Sequence, residues 1–116
     1  MGYRSEVLLI VGKEAMPLFL TALAREPKAR DLCFQYRDQY QKDYEEMGSM
    51  LFNWTEIKWY DNYPDIQAIE SFMDNCDTED LDEHYRFVRI GEDDRDIEER
   101  GQFAEYEACV SRAIQW

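Results

Sequence analysis

The chain lacks several residues and patterns on which common protein functions depend. It has one histidine, His84, and three cysteines, Cys33, Cys76 and Cys109, with no CxxC pair. This excludes a histidine-rich metal site and a zinc or disulfide framework, and it predicts reduced, mostly buried thiols. No apolar run approaches the roughly 18–20 residues needed to cross a bilayer, and no leader-like pattern opens the chain. We therefore expect a cytoplasmic protein.

The signatures of common catalytic and cofactor sites are also missing. No glycine falls between Gly12 and Gly48, so no glycine-rich phosphate loop follows the first predicted strand, and GxSxG and HExxH are absent. The acidic stretches fail the EF-hand pattern because Glu79 or Asp82 stands where its sixth-position glycine would fall. We predict no catalytic residue, no metal and no cofactor, hence no enzyme. The alternative is a metal-dependent or ligand-sequestering protein that uses the acidic loops, with weak Ca²⁺ or Mg²⁺ binding at Glu92, Asp93, Asp94 and Asp96.

Basic residues are scarce in the second half of the chain. Residues 61–116 carry 17 acidic and 5 basic side chains, a net charge of −12, whereas residues 1–60 carry 9 and 8, a net charge of −1. A domain charged in this way projects a one-sided negative field, which repels nucleic acid and anionic membranes and attracts basic surfaces. We predict a protein partner with a basic surface, and no direct binding of nucleic acid or membrane.

The hydrophobic pattern predicts a single domain, residues 1–116, of the α+β class. The apolar run Val7–Val11 is typical of a central strand that is buried on both faces. Further strands are predicted at Met50–Tyr60, Tyr85–Ile90 and about 107–115, with a shorter one at 97–100, and helices at about 15–25, 27–46 and 64–75. The order β-α-α-β-α-β-(β)-β predicts a two-layer sandwich, with about three helices on one face of a mixed, mostly antiparallel sheet of four to five strands.

The second predicted helix runs from Pro27 to about Glu46 and carries large side chains at successive i+4 positions. Packing against the sheet accounts for such a stripe in most proteins. The sheet need not cover all of it, so we also predict a possible homo-oligomer contact. Its residues are Tyr36, Tyr40 and Tyr44.

Two acidic stretches, a loop at 77–83 and a turn at 92–96, are predicted to flank the strand at residues 85–90. If that strand and residues 97–100 bring them together, they form one acidic rim whose carboxylates imitate the phosphates of a duplex. The members of the turn are expected to be solvated. The alternative is that the acidic residues only favour solubility. The rim consists of Asp77, Glu79, Asp80, Asp82, Glu83, Glu92, Asp93, Asp94 and Asp96.

The aromatic residues of Met50–Tyr60 fall at both odd and even positions. This predicts a strand that is covered on both faces or bulged near residues 53–55. Core packing accounts for most of these side chains. Tryptophan and tyrosine are also enriched at interface hot spots, so the group that follows the strand is predicted to bind the partner: Trp59, Tyr60 and Tyr63.

Three stretches of the chain together resemble a known family. They are GYRSEV at 2–7, IKWYDNYPDIQA at 57–68, and FVRIGED at 87–93 followed by DIEE at 96–99. They are similar to small, functionally uncharacterised proteins of tailed bacteriophages and prophages. The resemblance covers most of the chain except the second predicted helix. It implies a viral accessory protein in the cytoplasm of a bacterial host, and it brings no reaction and no catalytic residues.

These observations predict a small acidic phage protein that acts by binding. The leading hypothesis is a counter-defence or host-takeover inhibitor that occupies a basic, nucleic-acid-binding surface of a bacterial protein, such as a CRISPR effector or a nuclease. A structural, oligomeric phage protein without an inhibitory role is the alternative. A nucleotide-binding protein would need a basic pocket, which requires four residues to converge on one sheet face: Arg4, Arg86, Arg89 and Arg112.

Overall fold

A five-stranded antiparallel sheet forms the centre of the molecule. The computed structural model describes residues 3–35, 39–40, 49–93, 95–103, 109–110 and 114–115, with the backbone alone for 39–40, 109–110 and 114–115. The strands are β1 (Ser5–Val11), β2 (Gln39–Tyr40), β3 (Met50–Ile57), β4 (Tyr85–Ile90) and β5 (Ile97–Arg100), in the spatial order β2-β3-β1-β4-β5. Each described neighbouring pair is antiparallel, so the sheet is not mixed.

The central position of β1 follows from its composition. Its residues from Val7 to Val11 have no exposed surface, as the continuous apolar run predicts for a strand with neighbours on both sides. On β3 the pairing shifts between Val7–Trp54 and Ser5–Ile57, which leaves one extra residue in β3 and so defines a β-bulge. Residues 51–54 are buried on both faces, whereas Thr55 and Glu56, at the bulge, are exposed. The predicted irregularity is therefore present next to residues 53–55, and the strand is covered on both faces only before it.

Three helices cover one face of the sheet: α1 (Met16–Arg25), α2 (Pro27–Phe34) and α3 (Pro64–Thr78). Each has a proline at its first or second position, where the missing N–H would have no intrahelical acceptor. Their apolar faces pack against the sheet and form one core with it. In this core the ring of Phe19 contacts the rings of both Phe52 and Phe72. The predicted two-layer α+β sandwich and its element order are confirmed.

The predicted length of the second helix is wrong. Helix α2 ends at Phe34 rather than near Glu46, and Tyr40 lies in β2, paired with Phe52 of β3. Aromatic residues favour strands, and here pairing with the edge of β3 replaces continuation of the helix. Tyr36 and Tyr44 lie outside the described residues. The helical stripe of Tyr36, Tyr40 and Tyr44 is therefore not formed as predicted.

The second face of the sheet carries a smaller apolar cluster. Leu8, Ile10, Leu51 and Val88 have no exposed surface, and Phe103 packs against them. The predicted C-terminal strand at 107–115 is instead two short strands, β6 (Cys109–Val110) and β7 (Ile114–Gln115), which pair with each other. Strand β7 lies close to β1.

The structure also bears on the predictions for the cysteines and for membrane-spanning segments. Cys33 and Cys76 are buried and unbridged, as predicted, whereas the side chain of Cys109 lies outside the described part. Across the residues with described structure, no helix combines the length and the apolar character needed to span a bilayer.

Candidate binding surface at the α3–β5 seam

The structure separates the two halves of the predicted acidic rim. The acidic loop (residues 79–83) precedes β4, and the acidic turn (residues 91–96) follows it. Strand β4 has six residues and spans about 16 Å at the usual rise of about 3.3 Å per residue, and the two groups lie beyond its opposite ends. The rim is therefore not contiguous, because a strand that links two loops holds them at its opposite ends.

Strand β5 and helix α3 bridge this gap. They meet along one side of the sheet, and charged side chains line the contact, which we call the seam. The residues of the seam are Glu70, Asp74, Asp77 and Arg100.

Neighbouring residues hold the acidic turn in place, and one of its carboxylates, that of Asp96, is paired with a cation. Arg89 of β4 donates to both carboxylate oxygens of Asp96, at 2.7 and 3.0 Å, and to Glu98 at 3.2 Å. Tyr3 donates its hydroxyl proton to Asp96 at 2.7 Å and accepts the Asp93 N–H at 2.9 Å. The backbone N–H of Arg4, next in sequence, donates to the Glu92 carboxylate at 3.0 Å. These contacts attach the turn to the start of the chain.

These contacts correct one expectation for the turn. Asp96 is only partly solvated, because it is paired: the Arg89 guanidinium, assisted by the Tyr3 hydroxyl, lowers the pKa of its carboxyl to about 2. Gly91 belongs to the same arrangement, because a Cβ there would overlap the Tyr3 hydroxyl and the Asp96 carboxylate. Glu92 and Asp93 are exposed, and Asp94 lies outside the described residues.

Arg100 is the centre of the seam. Its guanidinium donates to Glu70 at 3.0 Å, to Asp74 at 2.9 Å and to Asp77 at 2.9 Å, and its side chain is only 19% exposed. The three acids occupy positions i, i+4 and i+7 of α3, which form one stripe of the helix. This acidic stripe therefore binds Arg100, a cation that belongs to the same chain. Asp77, predicted as a loop residue of the rim, is helical and also accepts the Tyr85 hydroxyl proton at 2.8 Å.

Glu70 connects the seam to the core. Its second carboxylate oxygen accepts the indole N–H of Trp59 at 3.0 Å. Burial raises the pKa of the Glu70 carboxyl, the Trp59 hydrogen bond opposes this, and the negative charges of Glu98 and Asp61 add to the rise. The carboxylates of Glu98 and Asp61 therefore lie close enough to Glu70 to act on it electrostatically.

The acidic loop differs from the turn because its carboxylates have no basic partner in the described structure. Helix α3 ends in a Schellman cap, in which the Leu81 N–H donates to the Cys76 carbonyl at 2.7 Å. The left-handed position of this cap, usually glycine, is Asp80, with φ of 63°. Carboxylates of Glu79, Asp80, Asp82 and Glu83 thus follow the helix directly.

This placement is electrostatically unfavourable for the helix. The C-terminus of a helix carries a partial negative charge, which favours nearby cations and disfavours anions by about 0.3–1 kcal/mol each. The last turn of α3 has no basic residue of its own. Arg100 compensates Asp74 and Asp77, and no described residue compensates the acidic loop. The fold alone gives no reason for this concentration of negative charge.

The predicted aromatic group forms a distinct feature at the other end of the seam. Trp59 is 7% exposed and packs on Phe87 of β4, while Tyr60 and Tyr63 are half-buried with ring centroids 5.2 Å apart. Trp59 and Tyr60 line a cleft of about 340 Å³ that continues into the acidic turn. Tyr63 lines a separate cleft. The residues of the first cleft, called the aromatic cleft below, are Tyr3, Trp59, Tyr60, Asp61, Arg89, Asp96 and Glu98.

Sequence reasoning did not assign several residues to this surface: Tyr3, Asp61, Glu70, Asp74, Glu98 and Arg100. The spacing of Glu70, Asp74 and Asp77 could have indicated an acidic stripe on α3. Neither Tyr3 nor Arg100 is close in sequence to its partners, so no local pattern marks their roles.

The alternative sites are not assembled in the described part of the chain. Arg86 and Arg89 lie three residues apart on β4 and so on opposite faces, and each contacts a carboxylate of β5. Arg112 lies outside the described residues, so the basic pocket that a nucleotide would need is not formed by the other three. Within the described ranges, no three histidine, cysteine, aspartate or glutamate side chains are grouped to hold a metal ion.

Comparison of the chain with models of protein families, with curated proteins and with solved structures finds no match.

Proposed function

We propose that the protein acts by binding, and that its acidic loop docks onto a basic surface of a partner protein. One observation carries this proposal. The carboxylates of the loop have no basic partner among the described residues, and they stand at a helix C-terminus, where they oppose the stability of the helix. Residues that break a local rule without compensation are expected at functional positions. A cationic partner would supply the missing compensation.

The chemistry of the loop favours a partner whose basic surface normally binds nucleic acid. Such surfaces present several lysine or arginine side chains at the spacing of phosphates. The acidic loop presents four carboxylates without a basic partner among the described residues and so offers an anionic substitute. The sequence motifs predict a phage protein, and we accordingly propose a bacterial partner, such as a CRISPR effector or a nuclease. The protein would then act as a counter-defence or host-takeover inhibitor.

The test is capture from a bacterial lysate by the full chain, followed by mass spectrometry of the retained proteins. We expect a basic nucleic-acid-binding protein, retained at low salt, released at high salt and displaced by duplex DNA. The decisive variant is Glu79→Lys with Glu83→Lys. Its matched control is Glu14→Lys with Glu56→Lys, which changes the net charge equally at two exposed positions elsewhere.

Loss of the partner in the first variant and its retention in the control would support docking through the acidic loop. Equal loss in both variants would mean that net charge alone attracts the partner. Retention in both variants at high salt would contradict the proposal. If the chain retains only further copies of itself, the structural and oligomeric alternative is favoured instead.

A further inference from the structure

The aromatic cleft is assembled from three separate parts of the chain. Tyr3 comes from the segment before β1, Trp59 to Asp61 from the connection between β3 and α3, and Asp96 and Glu98 from the end of the β4–β5 hairpin. Its volume of about 340 Å³ lies at the lower end of the range of about 300–1,000 Å³ that is usual for ligand pockets. It can take one side chain or a small ligand.

The lining of the cleft selects for positive charge. Three aromatic side chains border it, and the faces of aromatic rings attract cations. Three carboxylates oppose the single guanidinium of Arg89, so the lining carries a net charge of −2. An anionic ligand such as a phosphate would be repelled.

Two of these carboxylates keep the capacity to accept a further cation. Arg89 occupies both oxygens of Asp96 but only one oxygen of Glu98. Asp61 is exposed and has no ion pair within the described part of the chain. Asp61 and the second carboxylate oxygen of Glu98 can therefore accept hydrogen bonds from a further cation. Both carboxylates are also close enough to Glu70 to act on it electrostatically.

We propose that the aromatic cleft receives one cationic side chain of a partner protein, and that this side chain is an arginine. A guanidinium is planar, so it can lie against a tyrosine ring while its N–H groups reach two carboxylates, whereas a lysine ammonium is a hydrated point charge. Asp96 already binds Arg89 in this paired manner. That the ligand belongs to a partner protein rests on the proposed function. That the cleft selects cations is independent of it.

The experiment uses the full chain and small probes of defined charge. The probes are N-acetylarginine amide, its neutral counterpart N-acetylcitrulline amide, N-acetyllysine amide and spermidine. The signal is the NMR shift of the Trp59 indole N–H, with the backbone N–H of Leu51 as an internal control because Leu51 is fully buried on the second face of the sheet and does not line the cleft. We expect saturable shifts with the arginine probe, at an affinity about tenfold above that of the citrulline probe.

Two variants locate the binding site. Asp61→Asn should weaken binding of the arginine probe about fivefold, and Tyr60→Leu should weaken it by a similar factor. Glu14→Gln is the matched control, because it removes the same charge at an exposed position away from the cleft and from the acidic loop, and it should leave the affinity unchanged. An unperturbed Leu51 N–H signal in each variant shows that the fold is retained.

Several results would overturn the inference. Equal shifts with the arginine and citrulline probes would show that charge is not recognised. Equal losses in Asp61→Asn and Glu14→Gln would show that only the overall negative field attracts the probe. Tighter binding of spermidine would assign the cleft to free polyamines instead of a protein side chain. If the arginine probe binds as expected but Glu79→Lys with Glu83→Lys leaves capture of the partner intact, the cation-binding role of the cleft is supported. The docking role of the acidic loop is then contradicted.

Discussion

The acidic turn and the acidic loop have similar sequences and different surroundings. The turn, Gly91–Asp96, is joined to Arg89 and to the segment at residues 3–4 by charged hydrogen bonds. The loop, Glu79–Glu83, follows a helix C-terminus and has no cation beside it in the described structure. Acidity in the turn thus stabilises the fold, whereas acidity in the loop costs stability and is available to a partner.

The largest expected effect on stability comes from the seam, which lies between the two regions. Arg100→Ala would leave the carboxylates of Glu70, Asp74 and Asp77 without their shared cation, in a partly buried position. We expect a loss of about 2–3 kcal/mol in the free energy of unfolding, measured by urea denaturation. Arg95→Ala is the control, because Arg95 is exposed and forms no ion pair with a described residue. Similar losses in both variants would contradict the role of Arg100.

The next effect concerns the turn alone. Asp96→Asn removes the charge that pairs with Arg89, and we expect a loss of about 1–2 kcal/mol at pH 7. Because the folded state lowers the pKa of Asp96 from its ordinary 3.8 to about 2, its stabilisation is complete above about pH 4 and is lost as the pH falls towards 2. The difference in unfolding free energy between the wild type and Asp96→Asn should shrink over the same range. A constant difference would show that the charge of Asp96 does not stabilise the turn.

The elements set by local patterns were predictable from the sequence, and those set by distant partners were not. The run Val7–Val11 and the proline at the start of α3 act through their immediate neighbours, so the central strand and that helix follow from the pattern. The end of α2 at Phe34 depends on pairing of Tyr40 with β3, which no helical stripe reveals. The acidic loop and the acidic turn look alike in the sequence because Tyr3 and the Arg4 N–H, which hold the turn, come from the distant start of the chain.

A third prediction tests whether the acidic loop lowers the free energy of unfolding. Asp80 adopts a left-handed conformation with φ of 63°, which glycine tolerates and other residues adopt at a cost of about 1 kcal/mol. Asp80→Gly should therefore raise the free energy of unfolding by about 0.5–1 kcal/mol, measured by thermal or urea denaturation. Asp80→Asn separates charge from conformation, since asparagine also tolerates this region. A destabilised Asp80→Gly variant would mean that the aspartate contributes a contact of its own.

The smallest effect gives the sharpest comparison, because the same chemical change should act with opposite signs in the two regions. Glu79→Gln removes an anion from the C-terminus of α3 and should raise the free energy of unfolding by about 0.3 kcal/mol. Glu92→Gln weakens the bond from the Arg4 N–H to the carboxylate, and should lower it by about as much. Both are measured as shifts of the urea midpoint at low salt, and the gain in Glu79→Gln should shrink in 1 M salt, where screening shortens to about 3 Å. The same sign for both would mean that the overall negative charge, rather than the local surroundings, governs how each region contributes to stability.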